Sequence, residues 1–140
     1  GRFDEARDIL GRVDPAGEAA EELEELRLSV ALARKDYAEA RAALGRLRRA
    51  VPVTRESQVD LALRESSIHL AEGRPDRAIQ VLSRALEWAP YNLVVRMRRA
   101  QALERLGRGA EARIDLELVL RRDPGHVAAK RLLQRVKVSN

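Results

Sequence analysis

Ala6, Ala40, Ala78 and Ala112 stand in register along this chain, and each is followed four residues later by a leucine: Leu10, Leu44, Leu82 and Leu116. The steps between successive alanines are 34, 38 and 34 residues. This recurrence constrains the fold more tightly than any composition. A small residue lets two helices approach closely, and a bulky apolar residue one turn later fills the space beside it. A unit this short cannot bury its apolar face alone, so units must stack. The expected molecule is a row of helical hairpins, each packed mainly against its neighbours.

The clearest unit runs from about Val59 to Asn92. Its first helix is expected to end near Gly73, which can take the left-handed conformation that closes a helix, and Pro75 suits the opening of the second, where its missing N–H costs nothing. Ala78, Leu82 and Ala85 then face inward, and Pro90 ends the helix. Gly107, Ala112, Leu116, Val119 and Pro124 repeat this 34 residues later. The earlier unit reads Asp36, Tyr37, Ala40, Leu44, Leu47 and Pro52, with Asp36 as N-cap and Glu39 as its reciprocal partner in a capping box. Four extra residues precede Val59, in a longer connection or a longer first helix around Val53 to Gln58. Pro15 arrives early, which shortens the first incomplete unit.

The turn from Asp36-Tyr37 to Ala40, its counterparts at Gly73 to Ala78 and Gly107 to Ala112, and the proline ending each unit resemble the tetratricopeptide repeat (TPR) family over essentially the whole chain. The resemblance implies an all-α, right-handed TPR solenoid of antiparallel hairpins: a half repeat at 1–15, repeats at 17–52, 53–90 and 91–124, and a C-terminal capping helix at 125–138. Gly1 to Ala6 match the middle of a repeat, as Lys35 to Ala40 do, so the chain is expected to be a piece of a longer array. The family carries a large apolar residue at the seventh position of the first helix. Here those positions are Arg27, Glu65 and Arg99, which either rotate the first helices or pair across adjacent repeats as a ladder.

By resemblance, the concave groove is lined by first-helix residues: Glu22, Glu25 and Ser29, then Asp60, Leu63 and Ser67, then Val94, Met97, Gln101 and Glu104. The function implied is a scaffold or adaptor that holds a polypeptide there, anchored near Leu63, Val94 and Met97. The acidic rim at Glu22, Glu25 and Asp60 favours a segment carrying Lys or Arg. A carboxylate clamp of the kind that receives chaperone tails needs Lys, Asn and Arg at the fifth, sixth and ninth positions. Glu25, Leu63 and Met97, with Ser29, Ser67 and Gln101, do not supply it.

The chain is basic, with 27 Lys and Arg against 22 Asp and Glu. Residues 1–92 carry 15 basic and 17 acidic side chains, whereas 93–140 carry 12 and 5. Arg96, Arg98, Arg99 and Arg105 share one helix and form a candidate basic patch. The alternative function is therefore binding of a polyanion, nucleic acid or anionic polysaccharide, by this basic third. The helix lacks aromatic residues on which bases stack, which argues against nucleic acid. A third reading is a spacer or assembly segment of a larger bacterial secretion or exopolysaccharide-export protein, on family analogy. Exposed end hairpins leave self-association open.

Catalysis has no visible carrier, and an enzyme is not expected. Cysteine is absent, no Gly-rich phosphate loop or nucleophile elbow occurs, and His69 and His126 have no second histidine at metal-ligand spacing. His69 reads as a hydrogen-bonded core histidine and His126 as a surface residue. The acidic stretch Glu18 to Glu25 reads as a solvated helix start. No cofactor, metal or membrane insertion is implied, and the compartment stays open between cytoplasm and periplasm.

Overall fold

Residues 19–138 are described by the computed structural model of this chain. Among them run seven α-helices: α1 Ala19–Ala33, α2 Tyr37–Ala50, α3 Arg55–Ala71, α4 Pro75–Trp88, α5 Leu93–Arg105, α6 Gly109–Arg122 and α7 Val127–Val138. The half repeat expected over 1–15, with Ala6 and Leu10, lies outside the described residues. The chain divides into two compact units between Ser57 and Gln58.

In the first unit, α1 and α2 are joined by a three-residue turn in which Lys35 takes a left-handed φ of 59°. The Asp36 N–H closes the turn on the Ala31 carbonyl at 2.9 Å. Asp36 then caps α2, its carboxylate accepting from the Glu39 N–H at 3.1 Å. Only this half of the expected capping box is made, because the Glu39 side chain accepts from Arg46 Nη2 at 2.6 Å instead. Leu23, Leu28 and Ala31 of α1 are buried, as are Ala40, Ala43, Leu44 and Leu47 of α2.

The acidic start of α1 is not uniformly solvated. Glu21 and Glu22 are exposed, but Glu24 is only 4% exposed. Its carboxylate accepts from Arg27 Nη1 at 2.7 Å and from Arg46 Nε at 2.8 Å. The hydrogen bond to Glu24 pushes Arg46 above its ordinary pKa, with Glu39 adding to the effect. The charged seventh position of α1 thus lies against a buried acid of its own helix.

Entry into α3 explains the one stretched step of the repeat. α3 has 17 residues and α5 has 13. Val59, the counterpart of Leu93 at the start of α5, therefore lies one turn inside α3, and the four extra residues form that added turn. Thr54 and Ser57 close a reciprocal cap over it: the Ser57 N–H donates to Thr54 Oγ1 at 3.1 Å and the Thr54 N–H to Ser57 Oγ at 3.0 Å.

Among the described residues, the second unit holds two cores. Val59 and Ala62 of α3, Leu82, Ala85 and Leu86 of α4, and Val95 of α5 form one. The other joins Ala78 and Ile79 of α4 to Met97, Ala100, Ala102 and Leu103 of α5, with Ala112, Leu116 and Val119 of α6 and Ala129, Leu132 and Val136 of α7. The registered alanines Ala40, Ala78 and Ala112 are all fully buried, as are Leu82 and Leu116. Gly73 and Gly107 occupy the repeat position of Lys35 with φ of 72° and 71°. Pro75 stands in the first turn of α4, and α4 and α6 stop before Pro90 and Pro124. Asn92 caps α5 by accepting from the Val95 N–H at 3.0 Å. At α7 the Ala129 N–H donates to Nδ1 of His126, which is half-buried.

Candidate functional site

In the second unit, α5 places Val94, Arg98, Gln101 and Arg105 at steps of four, three and four residues, which a helix of 3.6 residues per turn brings to one stripe. Two of these side chains reach α3. Arg98 Nη1 donates to Ser67 Oγ at 2.6 Å, and Arg105 Nη1 reaches the Leu70 carbonyl at 3.5 Å. Ser67 spends its own proton on the Leu63 carbonyl at 3.0 Å, so its lone pair is turned to the guanidinium. The stripe of α5 and the adjoining residues of α3, Asp60, Leu63, Arg64 and Ser67, make up the candidate face.

The residues expected to line a groove have different fates on this face. Val94 is 58% exposed and Gln101 is exposed, whereas Leu63 is half-buried beside the first core. Asp60 is exposed but paired, its carboxylate accepting from Arg64 Nε at 2.7 Å. Glu104 is half-buried and stands 3.5 Å from Arg135 Nε. Met97 is a core residue, 7% exposed among Ala78, Ile79 and Leu103, and offers no side chain for an anchor. In the first unit, Glu22 and Ser29 are exposed and Glu25 is half-buried; the Ser29 hydroxyl turns back onto the Glu25 carbonyl at 2.9 Å.

The four arginines of the expected basic patch are not brought together. Arg98 and Arg105 lie on the stripe just described. Arg96 and Arg99 turn to α6, where Asp115 is fully buried. Asp115 accepts from Arg96 Nη1 at 2.8 Å, from Arg99 Nε at 2.7 Å and from Arg99 Nη2 at 2.8 Å. Arg96 is held further by the Pro90 carbonyl and Arg99 by the Ser83 hydroxyl. The seventh position of α5 is therefore occupied by an ion pair within its own hairpin, not by a rung of a ladder from Glu65. Asp115 sits among the inward-facing Ala112, Leu116 and Val119 of α6, a place where spacing alone predicts an apolar residue.

His69 lies on α3 and His126 just before α7. His69 Nδ1 is buried without a hydrogen-bond partner, 3.7 Å from Glu72 Oε2, so the satisfied core histidine expected at this position is only approximated. Among the described residues no group of three His, Cys, Asp or Glu side chains could hold a metal ion. No described helix is long and apolar enough to cross a membrane. Arg122, at the end of α6, stacks over the Tyr91 ring at 4.7 Å.

Two family models described as tetratricopeptide repeat match the chain, one over residues 26–92 and one over residues 69–136. No curated protein matches in sequence. Among solved structures, the TPR domain of Arabidopsis OM64 superposes with a TM-score of 0.70 at 20% identity, covering 86% of this chain and 97% of that one. The first TPR of Spaghetti (RPAP3), bound to the HSP90 peptide SRMEEVD, gives a TM-score of 0.70 at 18% identity over 88% of this chain and 94% of the other. YrrB, a TPR protein with an unusual peptide-binding site, gives 0.68 at 20% identity over 98% and 69%.

Proposed function

This chain belongs to the tetratricopeptide repeat family, and we propose that it is a non-catalytic adaptor that binds a polypeptide segment on the face of α3 and α5. The fold is an all-α TPR helical repeat, a protein–protein interaction scaffold in general. Peptide recognition by the neighbours, one bound to an HSP90 peptide and one with a peptide-binding site of its own, supports the assignment by analogy.

The observation that carries the reading is Val94. A branched apolar side chain 58% exposed, on the same stripe of α5 as exposed Gln101 and as Arg98, which reaches Ser67 of α3, leaves apolar surface beside hydrogen-bonding groups. Met97 is excluded as an anchor by its burial, so the apolar contact falls to Val94 and Leu63. The test is an array of random-sequence peptides probed with the full chain and with Leu63→Glu/Val94→Glu, circular dichroism reporting the fold. Peptides bound by the full chain and lost by the variant support the assignment. Peptides bound equally by both, or no peptide bound above background, overturn it.

A further inference from the structure

The arginines of α5 divide into two pairs with opposite electrostatic situations. Arg96 and Arg99 share the buried Asp115, so one carboxylate offsets one of their two charges and both forks are turned inward. Arg98 is held by a serine hydroxyl, and Arg105 stands 3.5 Å from a backbone carbonyl, both neutral. Among the described residues neither has a carboxylate partner. Each guanidinium carries five N–H donors in a fixed fork suited to carboxylates, and in each no more than one N–H is engaged. Arg98 is thus oriented by a contact that leaves its charge and most donors available, and exposed Arg105, at the end of α5, keeps its charge and donors available as well.

Spacing narrows the ligand. Seven residues separate Arg98 from Arg105, a rise of roughly 10 Å along α5. A polypeptide in polyproline II conformation returns every third side chain to the same side after about 9 Å. Two acidic residues three apart in an extended segment therefore match the two forks. Val94, one turn before Arg98, offers an apolar contact at one end of the row. On α3, the carboxylate of Asp60, the one acid expected on this part of the groove rim, is paired with Arg64.

We propose that Arg98 and Arg105 form an acid-reading row that selects an extended partner segment carrying Asp or Glu at two positions three residues apart, with an apolar residue toward Val94. This rests on the peptide-binding reading above and gives the partner a chemistry. It reverses the preference for Lys or Arg expected from the acidic rim.

The probes are synthetic peptides with one leucine followed by two glutamates three apart, and versions carrying glutamine or lysine at both glutamate positions, titrated by fluorescence anisotropy against the full chain. Arg98→Gln/Arg105→Gln is compared with Lys130→Gln/Lys137→Gln, which removes the same charge from α7. The expected result is binding of the glutamate peptide that weakens with salt and falls roughly tenfold in the arginine variant, the value for two solvent-exposed ion pairs together, with little change in the lysine variant. Equal binding of the glutamine peptide, with loss in Leu63→Glu/Val94→Glu, overturns the acid-reading row and leaves the peptide face standing. Failure of all three peptides overturns the row, while the random-peptide array decides the face separately. An equal loss in the lysine variant reduces the effect to net charge and overturns the row. Tighter, arginine-dependent binding of a single-stranded oligonucleotide or of heparin assigns the row to a polyanion and overturns it as well.

Discussion

Arg99 grips Asp115 with a two-pronged fork, Nε to Oδ2 at 2.7 Å and Nη2 to Oδ1 at 2.8 Å, and Arg96 adds a third N–H at 2.8 Å. The carboxylate is fully buried, so its hydration is replaced wholly by protein donors. Asp115→Ala would leave two guanidiniums facing each other in a partly buried space, at a cost of roughly 3 kcal/mol. Asp115→Leu with Arg99→Leu, which restores an apolar seventh position, is expected to regain most of that loss. Urea denaturation of the two variants checks the order, and a double variant no better than Asp115→Ala would show that Arg96 alone sets the cost.

The turns between first and second helices offer a cleaner backbone experiment. Lys35, Gly73 and Gly107 share one left-handed conformation, and a Cβ built on either glycine meets nothing within 4 Å. Gly73→Ala and Gly107→Ala should then cost only the conformational term, about 1–2 kcal/mol each. Lys35→Gly should stabilise the first unit by up to about 1 kcal/mol, the relief being partly offset by the larger entropy of the unfolded chain. Thermal melts of the three variants check both signs.

Asn92 and the Thr54–Ser57 pair hold the first turns of α5 and α3. Asn92→Ala removes the acceptor of the Val95 N–H and is expected to cost about 1 kcal/mol. Thr54→Ala removes the acceptor of the Ser57 N–H and should cost a similar amount. Hydrogen exchange should localise the loss to the amides that each cap satisfies.

Glu111 and Glu117 bear on acid stability. The hydrogen bond from Arg108 holds Glu111 below the usual glutamate range, and that from Arg113 does the same for Glu117. Both carboxylates should titrate at lower pH than an unpaired glutamate. A depressed folded-state pKa contributes stability above the unfolded pKa that is lost as pH falls through the folded one. Exposure makes the contribution small. NMR titration of the side-chain carbonyls should show Glu111 returning to the ordinary range in Arg108→Gln.

The repeat was legible in the sequence because its determinants are local. Ala78, Leu82 and Ala85, the glycine before them and the proline after them each impose their own geometry, and all are placed as spacing predicts. The candidate face was less legible because helix rotation depends on pairwise contacts. Met97 aligns with Leu63, yet Met97 is core and Leu63 half-buried. Counting charge on α5 could not separate Arg98 and Arg105 from Arg96 and Arg99. Asp115, an acid within the inward-facing series Ala112, Leu116 and Val119, was the available signal that two arginines are spoken for.

The added turn at the head of α3 has a consequence for how such arrays change length. Residues 55–58 precede Val59, so the insertion lies upstream of every α3 position that meets the cores and displaces none of them. Counted along the chain the step is 38 residues, but from Val59 onward the spacing to the next unit, which opens at Leu93, is again 34. Length is therefore added where α3 contributes to neither core of the second unit, at a helix end that a single Thr–Ser pair closes.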